Sequence, residues 1–347
     1  MKVGIVGFRS AGKTTIFNAL TGLQAQVGGF GAGGRANLGV IKVPDERVMA
    51  LAEIHEPKKI TFAEIAFVDV PGSGDERAAL DAATLVQMRD VDALVQVVSA
   101  FPDAGGSPVP AAAQLENFAA ELILADLEIV EKRLERVRKE KGKEREQKLL
   151  ERCETHLSSE QPLRTCELAP EERAALAGFN LLSQMPFLGL LNVDESGIAD
   201  GLPDDVAAWV EKRGVDVLPV PGKTEMELAE LDEEDRGAFL ADLGITESAK
   251  DRFIRAAYGL LHLISFLTAG KDECRAWPIR RGTSALHAAG KIHSDIERGF
   301  IRAEVVAYDD FMELRSEARC REAGKLRLEG KAYEVADGDI IHFRFNV

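Results

Sequence analysis

The stretch Gly7-Phe8-Arg9-Ser10-Ala11-Gly12-Lys13-Thr14 decides the fold. It follows the short apolar run KVGIVG (2–7) and leads into a segment with helical character, Thr14 to Thr21. The pattern is G-x-x-x-x-G-K-[ST] in a strand–turn–helix setting. Its glycines let the backbone wrap an anion, and the amides of the loop and of the helix N-terminus point at it. Lys13 then reaches the β- and γ-phosphates of a nucleoside triphosphate, and the Thr14 hydroxyl ligates Mg²⁺. Arg9, Ser10, Ala11, Gly12, Lys13, Thr14 and Thr15 form the expected phosphate-binding set.

Two further strand ends complete the site. IAFVDV (65–70) is a buried run that ends on Asp69, in the setting Asp69-Val70-Pro71-Gly72. A carboxylate there holds Mg²⁺ directly or through water, and the Gly72 amide senses the γ-phosphate, so Lys13, Asp69 and Gly72 are the expected catalytic positions and Thr14 and Asp69 the metal positions. FLGLLNV (187–193) ends on Asn192, followed by Val193, Asp194 and Glu195. In guanine-binding sites a similar strand ends Asn-Lys-x-Asp, and the Asp accepts from guanine N1 and N2. Here Val193 and Glu195 replace the Lys and the Asp. A Glu is one methylene too long for that fork, so the base expected is adenine, with guanine the competitor. Asn192 braces the loops. Gly222 and Lys223, after the next strand VDVLPV (215–220), lie beside the base.

Around these motifs the first third alternates strand and helix signals, with ALVQVVSAF (93–101) a third apolar run; the pattern predicts a parallel sheet covered on both faces. From Glu116 the strand signal stops. Leu127, Val130, Leu134 and Val137 make one helical stripe, Gly142 sits in a charged turn, and Leu149, Leu150, Cys153 and Leu157 resume the stripe. This predicts a helical hairpin, with a short further helix over 168–179 that has Pro170 near its start. Residues 223–262 read as helices broken near Gly244. The C-terminal section, closing on KAYEVADGDIIHFRFNV (331–347), has the alternation and turn of a small α+β module. The expected fold is α/β: a P-loop sheet domain from 1–115 and 181–262, an inserted helical coiled-coil hairpin over 116–180, and a small α+β module over 263–347.

A chain of 347 residues, 46% hydrophobic and 29% charged, suits a multi-domain globular protein. No apolar run spans a bilayer. Met1 runs straight into the first strand without a signal-peptide layout, and Cys153, Cys166, Cys274 and Cys320 lack metal or redox spacing, which predicts a cytoplasmic protein with free thiols. The net charge of −15 opposes indiscriminate nucleic-acid binding and gives no sign of sequence-specific DNA recognition. Two local patches run the other way: 132–152 carries ten Lys/Arg against five Glu, and 274–302 six against two acids.

With these motifs in place, the chain resembles the YchF-type NTPases, Obg-related P-loop proteins with a C-terminal TGS (β-grasp) domain. The likeness runs through the P-loop, 192–195, the inserted hairpin, PDERVMALAEIHEPKKI (44–60), YGLLHLISFLTAGKDECRAW (258–277), IHSDIERGFIRAEVVAYDDF (292–311) and AGKLRLEGKAYEVADGDIIHFRFNV (323–347). The resemblance implies ATP binding with Mg²⁺, slow hydrolysis and association with ribosomes; the hairpin and the TGS domain would contact ribosomal RNA. Four departures bear on turnover. Glycine in FGAGGRANLGV (30–40) replaces the family's switch I threonine. The loop after Gly72, SGDERAAL (73–80), is short and acidic. Ser73 stands where Ras-type enzymes carry a water-orienting Gln, and AFPDAGGSPVP (100–110) lacks the family's histidine. Two other readings stand beside the slow ATPase: a nucleotide-binding module with negligible turnover, and a true GTPase.

Overall fold

Valine-rich runs become the centre of a sheet because β-branched side chains fill a surface buried on both sides. The computed structural model describes residues 1–23, 37–71, 80–101, 110–194, 201–231 and 248–346, together with Gly197 and Asp235. Its first half runs β1 (Lys2–Val6), α1 (Lys13–Thr21), β2 (Asn37–Val43), α2 (Glu46–His55), β3 (Lys59–Thr61), β4 (Ala63–Asp69), α3 (Ala82–Met88) and β5 (Ala93–Ser99). Then come α4 (Ala111–Val137), α5 (Glu144–Ser158), α6 (Pro170–Leu176), β6 (Phe187–Asn192) and β7 (Val217–Val220). Six strands form one sheet in the order β2-β4-β1-β5-β6-β7. The pairs β1–β4, β1–β5, β5–β6 and β6–β7 are parallel. Val3, Ile5, Val95 and Val97 at its centre are fully buried.

The order places β1 between β4 and β5, so connections leave β1 toward one side and β5 toward the other. Ligands of open α/β sheets bind at such a switch point, outside the carboxyl ends of the strands. Gly7, Asp69 and Asn192 all lie at those ends.

α4 is a single helix of 27 residues with two jobs. Its first half buries Ala111, Leu115, Phe118 and Leu122 against the sheet. Its second half buries Val130, Leu134 and Val137 against Leu149, Leu150, Cys153 and Leu157 of α5. The sequence boundary at residue 115 therefore falls inside a continuous helix, because the apolar stripe never breaks. Gly142, at φ 80°, lies in the turn between α4 and α5. Pro170 opens α6 at its first position, as the sequence suggested.

The chain forms two compact units, 1–40 with 66–253 and 41–65 with 254–347. The second contains a sheet in the order β11-β10-β12-β8-β9-β3, with β8 (Leu263–Thr268), β9 (Glu273–Arg280), β10 (Phe300–Ala307), β11 (Arg327–Glu329) and β12 (Asp339–Phe345). The helix Ala285–Ile292 lays Ala285, Ala288 and Ala289 on a core that includes Phe266, Val305 and Phe343. A mixed sheet grasping one helix is the β-grasp architecture expected for this section. Residues 41–65, read from sequence as part of the nucleotide-binding domain, lie in this second unit because β3 pairs with β9. In the first third of the chain β2, α2 and β3 escaped the sequence reading, although Ile41 and Val43 alternate with exposed Val40 and Lys42. The expected break near Gly244 lies outside the described residues.

Candidate nucleotide site

Backbone geometry comes first. Gly7 has φ 140°, and a Cβ there would meet the Val97 carbonyl oxygen at 2.4 Å. Gly12, the residue before α1, has φ 88°, and a Cβ on it would meet Asn192 Nδ2 at 2.2 Å. Ser10 also adopts a left-handed conformation, φ 62°. Only glycine tolerates the first two positions, since φ is positive and the space is taken. The resulting loop delivers the chain to α1, whose N-terminus has neither a side-chain cap nor an acidic residue in its first turn. Uncapped amides at a helix start favour an anion.

Lys13 is buried, and its Nζ donates to the Phe8 carbonyl at 2.8 Å across the loop. Burial pushes its pKa down from 10.5 to about 8, with the charge of Asp69 opposing the shift. A cation held with its charge poorly solvated gains from an arriving phosphate.

Thr14 Oγ1 donates to Asp69 Oδ2 at 3.1 Å, which joins the start of α1 to the end of β4. The same carboxylate oxygen accepts from Asn37 Nδ2 at 3.4 Å. Asn37 was missed by sequence reasoning. It is the first residue of β2 and follows a glycine-rich stretch that reads as loop. A short polar side chain just before an alternating apolar run was the available signal.

Asn192 is buried at the end of β6. Its Nδ2 donates to the Ala11 carbonyl at 3.3 Å, and its Oδ1 accepts from the Gly222 amide at 3.3 Å. One side chain thus ties the phosphate loop to the start of the helix Gly222–Glu230.

The remaining positions divide. Ala11 is buried; Arg9 and Ser10 are exposed, and Thr15 is half-buried. Lys223 is exposed in the first turn of its helix, with Nζ 3.9 Å from Glu227. Val193 turns inward to join the apolar cluster that contains Val206 and Trp209. Its side chain continues the buried run of β6 by one residue. Gly72 and Glu195 lie outside the described residues, as do 24–36 and 73–79.

The donor set suits phosphate and a hard divalent cation: a glycine cradle too tight for a Cβ, one buried ammonium, and a hydroxyl–carboxylate pair. Among the described residues no group of three or more His, Cys, Asp or Glu is placed to hold a metal by itself. A cation here would therefore share its coordination with phosphate oxygens, as Mg²⁺ does.

Comparison with known proteins agrees with this geometry. Residues 2–137 match a family model described as "50S ribosome-binding GTPase", and residues 263–346 match the YchF-GTPase C-terminal domain, described as a protein of unknown function. The chain is 40% identical to "Ribosome-binding ATPase YchF" of Bacillus subtilis (strain 168), with 100% of each covered. It is also 40% identical to the protein of that name from Pasteurella multocida (strain Pm70), covering 100% of this chain and 99% of the relative. The solved structure of the Schizosaccharomyces pombe YchF GTPase superposes with a TM-score of 0.89 at 30% identity, covering 99% of this chain and 97% of that one. Likeness at this level, end to end, means that the chain belongs to the YchF family of P-loop NTPases.

Proposed function

We propose that the protein is a Mg²⁺-dependent ATPase with slow intrinsic turnover, acting in the cytoplasm as a ribosome-associated switch. The observation that carries this reading is the convergence of Lys13, Thr14 and Asp69 at the carboxyl ends of β1 and β4, beside an uncapped helix start. The loop amides bind the phosphates. Lys13 exchanges the Phe8 carbonyl for a β- or γ-phosphate oxygen. Thr14 and Asp69 would hold Mg²⁺, which would supply positive charge to the phosphate oxygens. Gly72 reads the γ-phosphate.

Slow turnover follows from the sequence. Positioning supplies most of the rate in phosphoryl transfer, and Ser73 is too short to orient water as a glutamine does. The base reading also rests on sequence: Glu195 displaces the carboxylate that guanine needs, and Val193 removes the lysine stem that covers its plane. ATP then binds better than GTP by about 1–2 kcal/mol, on the order of tenfold. The fission-yeast relative is named a GTPase and the bacterial relatives ATPases, so GTP is the specific competing reading. Competition of ATP and GTP against a fluorescent nucleotide decides between them; clear preference for GTP would replace the adenine reading.

The ribosome reading draws on the bacterial relatives' names and on the hairpin surface. Among the described residues Arg136, Lys139, Lys141, Arg145 and Lys148 form no ion pair, whereas Lys132, Arg133, Lys143 and Arg152 each have a Glu partner. Unpaired exposed cations are free to meet RNA phosphates, and such contacts give affinity without sequence specificity. In this reading the nucleotide is held by the unit of 1–40 with 66–253, into which the hairpin of 116–180 is inserted, and the hairpin and the C-terminal unit, 41–65 with 254–347, each contact ribosomal RNA.

A further inference from the structure

Asn37 and Asp69, bonded at 3.4 Å, sit at the outer ends of β2 and β4, which are neighbours in the first sheet. The chain between them does not stay with that sheet. Residues 41–65 are part of the C-terminal unit. β3 pairs in parallel with β9, Lys59 opposite Glu273, Ile60 opposite Cys274 and Thr61 opposite Arg275. Thr61 Oγ1 donates to Glu273 Oε1 at 2.5 Å, and the Lys58 amide donates to the Lys271 carbonyl at 3.1 Å.

α2 is fixed more firmly. Its Arg47 forms a fork on Asp45, the residue before the helix, with Nε and Nη2 at 2.9 and 2.8 Å. The same guanidinium reaches Asp337 at 3.1 Å, and Asp337 in turn accepts from the Ser265 amide at 2.8 Å. His55, the last residue of α2, stacks on Phe311 with ring centroids 5.5 Å apart and planes 16° from parallel. A half-buried, forked arginine is a stronger and better-directed anchor than an exposed ion pair.

Both strands that leave this anchored segment end at the Mg²⁺ side of the nucleotide site. An extended strand cannot stretch, so a shift of α2 or β3 is passed along β2 and β4 to Asn37 and Asp69. We infer that residues 41–65 form a tether through which the C-terminal unit sets Asn37 against Asp69, so that loading of the C-terminal unit is read at the Mg²⁺ end of the nucleotide site. The inference rests on the nucleotide reading above. Asn37 is a positioning residue, since it acts through Asp69. Thermodynamic linkage makes the coupling reciprocal, and Mg²⁺–nucleotide in turn biases the C-terminal unit.

The test uses the full chain and a fluorescent ATP analogue, with two readouts: the Mg²⁺ concentration giving half-maximal binding, and analogue affinity in EDTA. Asn37→Ala should raise the Mg²⁺ midpoint by about fivefold, the low end of ordinary coupling, with EDTA affinity unchanged. Arg47→Ala should raise it similarly, Arg47→Lys less, and Arg47→Ala should add nothing in the Asn37→Ala background. Should Arg47→Ala fail to fold, Thr61→Ala tests the β3 anchor in the same cycle. An unchanged Mg²⁺ midpoint in folded Arg47→Ala or Thr61→Ala, or effects that simply add to that of Asn37→Ala, would overturn the tether while leaving the nucleotide site intact. A wild-type protein that binds no analogue would overturn the nucleotide reading and the tether with it.

Discussion

Asn192 Nδ2 occupies the space where a side chain on Gly12 would begin, 2.2 Å from the ideal Cβ position. The two residues are 180 positions apart in sequence and fix each other: the glycine admits the amide, and the amide holds the loop through the Ala11 carbonyl. In the proposed reading the phosphate loop and the floor of the base site are thus one construction.

Asn192→Ala should therefore cost stability and affinity together. The variant forgoes two neutral, buried hydrogen bonds, each worth about 0.5–1.5 kcal/mol net, and the Ala11 carbonyl and Gly222 amide are left to find water. Urea unfolding should show a decrease of about 1–3 kcal/mol, and calorimetry a weaker nucleotide. Wild-type stability in this variant would mean that the staple is not formed in solution.

The buried ammonium of Lys13 gives a pH signature. Its pKa of about 8 in the free protein lies below its ordinary value, and a bound phosphate raises it again. The group is charged and ready below pH 8. Above that it must take up a proton on binding, so affinity falls as pH rises, by at most tenfold per unit. Titrations between pH 7.5 and 9.5 should show the decline in wild type and a flat profile in Lys13→Ala. A flat wild-type profile would place the pKa elsewhere.

The hairpin surface predicts salt dependence. Reversing Arg136, Lys139 and Lys141, three exposed cations without ion-pair partners among the described residues, should weaken ribosome binding and flatten the plot of log K against log[salt]. The slope should change by about 0.7–0.9 for each phosphate that is no longer neutralised. Sedimentation with ribosomes at several salt concentrations gives that slope; no change would return this helix face to the role of solvated surface.

The phosphate loop was legible because glycine spacing, strand and helix all fall within 20 residues of sequence, and each has a local physical cause. Asp69 and Asn192 were legible as ends of apolar runs. Asn37 was not, because its role depends on β2 lying beside β4, a pairing of distant segments that local pattern does not encode. Nor was the attachment of 41–65 to the C-terminal unit, since the three-residue strand β3 carries too little alternation to be seen. Val193 was legible in part: the apolar run 187–193 predicted its burial, and its packing with Val206 and Trp209 depends on a helix that local pattern does not bring near it.

The central claim is that Lys13 binds the phosphates of a nucleoside triphosphate. Calorimetric titration of Mg·ATP into wild type and Lys13→Ala tests it most directly. The predicted result is saturable one-to-one binding in wild type and binding weaker by roughly 1.5–3 kcal/mol in the variant, about ten- to a hundredfold, with the unfolding transition preserved. Equal affinity in the two proteins, or no binding in either, would contradict the account.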